Sequence, residues 1–371
     1  MSTAQKKAVV LEQGNILCGL GELEETVTDL FEGASAIIPG PCFGVPVAYA
    51  PFKDVSWRSL DASVKALAPS IDLFSIDKKD IVFIFCAAKG DIAQLEEYCT
   101  AKKPPGAFLP LLSSQAEYAK KFLGINAARA IVISDACASG ATGVEVGRDM
   151  LLAGRASAAV IFGFDGISRF VATGFHSLNA LSPAGAKPFD ARRDGLTIGD
   201  GAAIALLTYR EPYSGDIIVA GAGSSNDANH RTGPSRTGEG LFRAAQAALA
   251  DAAVQPPDIG GVKCHGTATN YNDAMEAKAL FSLFGEEIPP CFSMKGAIGH
   301  TSGAGSLLEI LVAAECLARR LVPPTARFSS LGVDEKIPVS DSMQHLRGQS
   351  LLCLSAGFGG INAAAVLTEA A

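Results

Sequence analysis

The chain has 371 residues, 48% of them hydrophobic and only 19% charged, enough for a large buried core and too apolar for disorder. A net charge of −7 supplies no basic field for nucleic acid, and pairs such as Lys102-Lys103, Lys120-Lys121, Arg192-Arg193 and Arg319-Arg320 read as solvated surface charge. There is no signal-peptide core and no apolar run of the ~20 residues that a membrane-spanning helix needs, so membrane insertion is not expected. The nine cysteines never form a CxxC pair, which argues against a disulfide framework and a zinc site and for a reducing, cytoplasmic setting.

Taken in chain order, apolar β-rich runs at 7–11, 80–85, 130–134, 158–162, 202–207, 216–220 and 351–355 alternate with amphipathic stretches at 22–32, 92–102, 141–153, 240–253, 272–284 and 306–320. The alternation predicts an α/β protein with mainly parallel sheets. A weak duplication runs through it. Residues 7–33 read strand, Gly-rich loop, helix, and 216–253 repeat that order. Residues 81–102 and 262–284 share a strand–turn–helix pattern, as do 131–154 and 291–320. The segment GDGAAIALLT (199–208) resembles GFGGINAAAVLT (357–368). The chain therefore divides into two similar halves, 1–210 and 211–371, each bringing reactive residues to a strand–helix turn. Ligands of such sheets sit at the carboxyl ends of strands.

Cys137 lies in IVISDACASGATG, where a strand ends near Ser134 and small residues open a helix. A thiol at a helix N-terminus is expected to have a lowered pKa, and the free N–H groups there can hold a thioester oxyanion. His265, in VKCHGTATNYNDAMEA, and His300, in SMKGAIGHTSGAGS, each stand between a strand and a helix in a Gly/Ser/Thr-rich turn. Lys295 precedes His300 by five residues, and Glu276 follows His265 on the next helix, where it is expected to pair with Lys295. His176, His230 and His345 read as ordinary surface or packing histidines.

The blocks DACASG, HGTATNYNDAMEA, SMKGAIGHTSGAGS and SAGFGGINAA resemble, in order, the signature blocks of the β-ketoacyl-acyl-carrier-protein synthases of the thiolase superfamily. PFDARRDGLTIGDGAA, DANHRTGP and LVPPT also resemble family patterns, whereas residues 40–120 match poorly and look short. The resemblance implies a thiolase fold, duplicated α/β halves in a five-layer αβαβα arrangement. It implies that Cys137 takes an acyl group from the phosphopantetheine of an acyl carrier protein, with no permanently bound cofactor and no metal. A malonyl-type donor then loses CO₂ and its carbanion attacks the acyl-cysteine.

In that scheme His265 and His300 hydrogen-bond the donor thioester oxygen, and Lys295 orients and tunes His300 with Glu276 behind it. The N–H groups of Cys137 and Phe358 form the oxyanion hole, and Phe358 gates the cysteine. Thr267 and Thr269 correspond to pantetheine-binding hydroxyls, and Arg193 to a basic residue near the carrier-protein entrance. The partners implied are acyl carrier protein and either a second copy or a ketosynthase paralogue. The apolar run 158–162 is expected to be the edge strand that pairs across the dimer axis.

Three departures stand out. HGTAT replaces the commoner HGTGT and is expected to add a methyl beside the pantetheine path. SAGFGG replaces SFGFGG, and GFDG (163–166) replaces a GGxE-like turn. The chief alternative is a chain-length-controlling subunit of a heterodimeric ketosynthase, a kind of subunit that usually lacks the nucleophile. A degradative thiolase would carry a second cysteine where Phe358 stands, and a starter-unit synthase would have Asn for one of the two histidines.

Overall fold

Runs rich in Val, Ile, Phe and Ala, stiff at Cβ and apolar on both faces, become ten strands of the computed structural model, which describes residues 7–74, 76–101, 111–126 and 128–371. The Lys102-Lys103 pair lies outside the described residues. In chain order the strands are β1 (Ala8–Leu17), β2 (Ile81–Cys86), β3 (Arg129–Ile133), β4 (Ala158–Asp165) and β5 (Gly201–Arg210). They continue as β6 (Ile217–Asn226), β7 (Ile259–Lys263), β8 (Cys291–Phe292), β9 (Ser350–Gly357) and β10 (Ile361–Glu369).

The first five lie in the order β3-β2-β4-β5-β1 and the second five in the order β8-β7-β9-β10-β6. The pairing repeats as well: β2 is parallel to β3 and β4, as β7 is to β8 and β9, while β4–β5, β5–β1, β9–β10 and β10–β6 are antiparallel. One residue pair, Val10 with Ile218, joins the two groups.

Side chains alternate across each strand, so each group of strands has two apolar faces to cover. Phe83, Phe85, Val160, Phe162 and Ile204 face out from the first group onto the helices Leu60–Leu67 and Leu112–Phe122. Val262, Leu352, Leu354, Ala364 and Val366 face out from the second group onto the helices Glu239–Ala252 and Asn270–Phe284. The inner faces, with Ile84, Cys86, Ile161, Leu351, Cys353 and Ala365, share one core with the helices Ser139–Leu152 and Ser302–Arg319. The result is the αβαβα layering that the resemblance implies.

The two central helices cross at Gly140, where an added Cβ would meet the Leu307 N at 2.3 Å, and Ala141 N donates to Ser306 Oγ at 2.9 Å. That contact sets the start of one helix, just after Cys137, against the start of the other, just after His300.

One expectation is overturned. The run 158–162 is not an edge, because β4 is flanked by β2 and β5; the edge of the first group is β3. A central strand covered by helices on both faces is buried throughout and reads as a continuous apolar run, whether its neighbours are parallel or antiparallel. Among the described residues, no helix is long and apolar enough to cross a membrane.

Candidate active site

Strand β3 ends at Ile133, and the chain turns through Ala136 in the left-handed region (φ 49°) before a short 3₁₀ turn, Ala136–Ala138, leads into the Ser139–Leu152 helix. Ser139 stabilises this tight turn, with its hydroxyl donating to Ala136 O (2.7 Å) and accepting from Asp135 N (2.9 Å). The turn presents Cys137 half-buried at the floor of a cavity of about 410 Å³. His265, His300, Thr267, Thr269 and Phe358 line the same cavity, so six of the predicted residues converge.

His300 is pinned by backbone hydrogen bonds to the Thr197–Gly199 segment, His300 N to Thr197 O at 2.6 Å and Gly199 N to His300 O at 3.0 Å. Its Nε2 lies 3.0 Å from Cys137 Sγ. The His265 ring stands edge-on to it, with centroids 5.4 Å apart and planes at 85°. The Thr267 and Thr269 hydroxyls are 2.9 Å from each other on the cavity wall. Phe358 leans against Phe175, ring centroids 5.6 Å apart, and is followed by Gly359 and Gly360 with φ of 90° and 78°, conformations that glycine adopts without a steric penalty.

Behind the cavity the polar pairing departs from expectation. Lys295 Nζ donates to Glu309 Oε1 (2.5 Å) and to His265 O (2.7 Å), and lies 3.4 Å from His265 Nδ1. It therefore contacts His265 rather than His300, and its carboxylate is Glu309 rather than Glu276. Glu276 instead accepts from His265 N (2.6 Å) and Gly266 N (2.8 Å), holding the turn that carries the histidine. Both glutamates are buried, so each must be matched by donors, and the nearer set decides which. The Lys295 contact makes His265 Nδ1 an acceptor and leaves the proton on Nε2, on a ring that lines the cavity.

Arg193 stands next to the cavity-lining Asp194 and Gly195. It does not line the cavity: its guanidinium donates to Asp190 O and Gly332 O, bracing two loops from within. Ala268 is fully buried, off the cavity wall, and held at φ 65°, so its methyl strains the backbone instead of narrowing the path. Ala356, by contrast, does line the cavity, so the missing aromatic ring leaves space beside Phe358.

The electrostatics follow from burial and nearby lysines. Burial first, and then the Lys295 charge, hold His265 and His300 well below the ordinary imidazole range, so both are neutral at physiological pH. Burial pushes Glu276 up to about 7 despite its two N–H donors. Burial would raise Glu309 as well, but Lys263 and Lys295 outweigh it and keep the carboxyl below its usual range. The thiol expectation is reversed: burial raises Cys137, against the pull of Lys89, Lys295 and the N–H of Phe358. The low dielectric of the half-buried turn outweighs the helix start, and the neutral His300 ring stands beside the sulfur.

Four residues of this environment were not singled out from the sequence. Asp165, in the GFDG segment, is buried and accepts from Ala88 N, Lys89 N, Gly90 N and Gly303 N at 2.7–2.9 Å. Lys89 Nζ donates to Ser302 Oγ at 3.1 Å. Lys263 and Glu309 complete the buried set, with Nζ 2.6 Å from Oε2. The available signal was a charge inside an apolar run, Glu309 within SLLEILVAA and Lys263 at the end of IGGVK.

The family description "Beta-ketoacyl synthase, N-terminal domain" matches residues 116–212, and "Beta-ketoacyl synthase, C-terminal domain" matches residues 217–329. A 3-oxoacyl-[acyl-carrier-protein] synthase 2 of Rhizobium meliloti (strain 1021) is 33% identical over 279 residues, 71% of this chain and 65% of that protein. The tetracenomycin polyketide synthase ketoacyl synthase alpha subunit of Streptomyces glaucescens is 31% identical over 253 residues, 64% of this chain and 59% of that protein. The chain thus spans about three-fifths of the length of these curated relatives.

Among solved structures, the ketosynthase (ApeO) in complex with its chain length factor (ApeC) from Xenorhabdus doucetiae matches with a TM-score of 0.86 at 25% identity, over 100% of both chains. The ishigamide ketosynthase/chain length factor matches with a TM-score of 0.86 at 24% identity, over 99% of this chain and 100% of that one. With both of its family descriptions matched in order over more than half its length, the chain belongs to the β-ketoacyl synthase family.

Proposed function

We propose that the chain catalyses a decarboxylative Claisen condensation between an acyl thioester and malonyl-acyl carrier protein, in fatty acid or polyketide biosynthesis. The observation that carries this reading is the cluster at the cavity floor: Cys137 Sγ 3.0 Å from His300 Nε2, with the His265 ring edge-on beside it. In the first half-reaction Cys137 attacks the acyl thioester. Its proton passes by way of His300 to the departing pantetheine sulfur, leaving acyl-Cys137 and a free pantetheine thiol. The N–H groups of Cys137 and Phe358 hold the oxyanion, in a slot that Gly357 keeps open: a Cβ there would stand 3.3 Å from Cys137 N.

In the second half-reaction the malonyl carboxylate leaves as CO₂, and the enolate oxygen accepts hydrogen bonds from Nε2–H of His265 and from Nε2–H of His300, whose ring proton moves from Nδ1 to Nε2 once the Cys137 thiol is acylated. Its carbon displaces the Cys137 sulfur, and the β-ketoacyl product leaves on the carrier. A neutral imidazole serves here because it donates N–H without placing a full charge in a dry site. Thr267 and Thr269 are proposed to bind pantetheine, Lys295 to hold the His265 tautomer, Glu276 to fix the His265 turn, and Phe358 to gate the thiol.

The halves are proposed to divide at 210/211, Cys137 in the first and both histidines in the second. The proposed partners are acyl carrier protein, which supplies all substrates without a resident cofactor, and either a second copy or a ketosynthase paralogue. The relatives' names and a complex titled as a ketosynthase with its acyl-carrier protein support this. Cysteines free of disulfides fit a cytoplasmic setting.

The test is His265→Ala and His300→Ala. His265→Ala should still accept acyl on Cys137 at the wild-type rate and His300→Ala more slowly, each read as a mass increment on the intact protein, yet both should lose condensation about 100- to 1000-fold, the usual cost of removing one oxyanion donor. Near wild-type condensation in either would contradict the assignment.

A further inference from the structure

Lys263 ends strand β7, two residues before His265, and is completely buried. Its ammonium donates to Glu309 Oε2 and to Leu354 O, both at 2.6 Å. We propose that Lys263 is a positioning residue of the condensing site: it holds one oxygen of Glu309 so that the other fixes Lys295 against His265, while tying β7 to the strand that leads into the Phe358 turn. The proposal rests on the condensing function put forward above.

The geometry argues for this by counting donors. Lys295 has three N–H bonds, with Glu309 Oε1 at 2.5 Å, His265 O at 2.7 Å and His265 Nδ1 at 3.4 Å. The third is the one that sets the imidazole tautomer, and it is the longest. Glu309, 2% exposed, has its second oxygen matched by the Lys263 ammonium. Without Lys263 its carboxylate would turn both oxygens to Lys295 and draw Nζ away from the ring. Two lysines dividing one carboxylate prevents that.

A buried lysine is otherwise costly, and hydrophobic replacement of similar volume is commonly tolerated, so its presence calls for a role beyond packing. The second bond extends its reach: Leu354 lies on β9, four residues before Phe358, so one ammonium references both the His265 turn and the gate to the same point.

Lys263 also acts through its charge. Glu309 from the Ser302–Arg319 helix, Cys353 from β9 and Glu276 from the Asn270–Phe284 helix face it, and the Glu309 carboxylate above all keeps it protonated against burial. Lys295, His265 and His300 lie beyond. Its charge is one of those that hold both histidines neutral.

The experiment compares full-length wild type with Lys263→Met, using malonyl-pantetheine as the probe of decarboxylation. The expected result is a fall in kcat of about ten- to a hundred-fold with KM little changed, the scale of a displaced catalytic group. The acid limb of the pH–rate profile should also move to higher pH, because losing a nearby positive charge raises the imidazole pKa values. Alkylation of Cys137 by iodoacetamide should be unaffected. An unchanged kcat and an unchanged acid limb would overturn the proposal.

Should Lys263→Met fail to fold, ¹⁵N-lysine NMR of the wild type decides, with Lys263→Arg giving the assignment. The proposal requires a charged Lys263 ammonium with slowed proton exchange through pH 9; a neutral or freely exchanging amine overturns it. Wild type that neither decarboxylates nor acylates Cys137 would overturn the condensing function instead, leaving the NMR measurement to judge the network.

Discussion

Seven of the nine cysteines are buried; Cys99 is exposed and Cys137 half-buried. Reactivity at Cys137 therefore rests on access and on the His300 imidazole, since burial raises its thiol pKa. In a Cys99→Ser background, iodoacetamide should modify Cys137 ahead of the seven buried thiols. The rate should keep climbing above pH 8 without a plateau near neutrality, and His300→Ala should slow it. Peptide mapping over a pH series checks this; a rate already saturated at pH 7 would restore the lowered-pKa picture.

At this scale the turns were readable, because small residues between an apolar strand and a helix leave a side chain few places to go but the strand's carboxyl end. The charge pairing was not readable. Lys295 and Glu309 are fourteen residues apart on different helices, and nothing in local spacing distinguishes Glu309 from Glu276 as the partner. Arg193 shows the converse: a matching residue type whose donors the fold turns inward onto Asp190 O and Gly332 O.

Among elements, β3 is the one at which a second chain is expected to pair. It is the open edge of the first group, and its Val132 is 36% exposed, while the opposite edge, β8, is a buried two-residue strand. A row of unpaired N–H and C=O groups on an apolar edge invites a second chain. Light scattering at micromolar concentration should give twice the chain mass, and Val132→Pro, which removes one ladder donor, should shift the protein toward monomer. A monodisperse wild-type monomer would contradict that placement of the interface. Strand positions were legible from apolar runs to within a few residues, but lateral order was not, since β4 and β3 are similar in sequence and differ only in which neighbours long-range pairing supplies. The helices Leu60–Leu67, Leu112–Phe122 and Arg169–Ser177 went unrecognised, the first two within the stretch that matches family patterns poorly.

For the whole molecule, the two strand groups repeat one order and one pairing scheme, and the central helices cross at Gly140 so that the turns bearing Cys137 and His300 meet. Convergence of residues 163 positions apart was inferable from the weak duplication, because equivalent turns of equivalent halves face each other across the shared core. The buried Lys263–Glu309–Lys295 set was not inferable, since it joins a strand end and two helices of the second half that only tertiary packing brings together.

The central claim is that this chain's own Cys137 carries the acyl group. Cys137→Ser, reconstituted with acyl carrier protein and with any paralogue that co-purifies, should lose condensation while still slowly decarboxylating malonyl carrier protein, a step that needs the histidines but not the nucleophile. Full condensation by the assembled Cys137→Ser protein would contradict the claim and place the nucleophile in a partner chain.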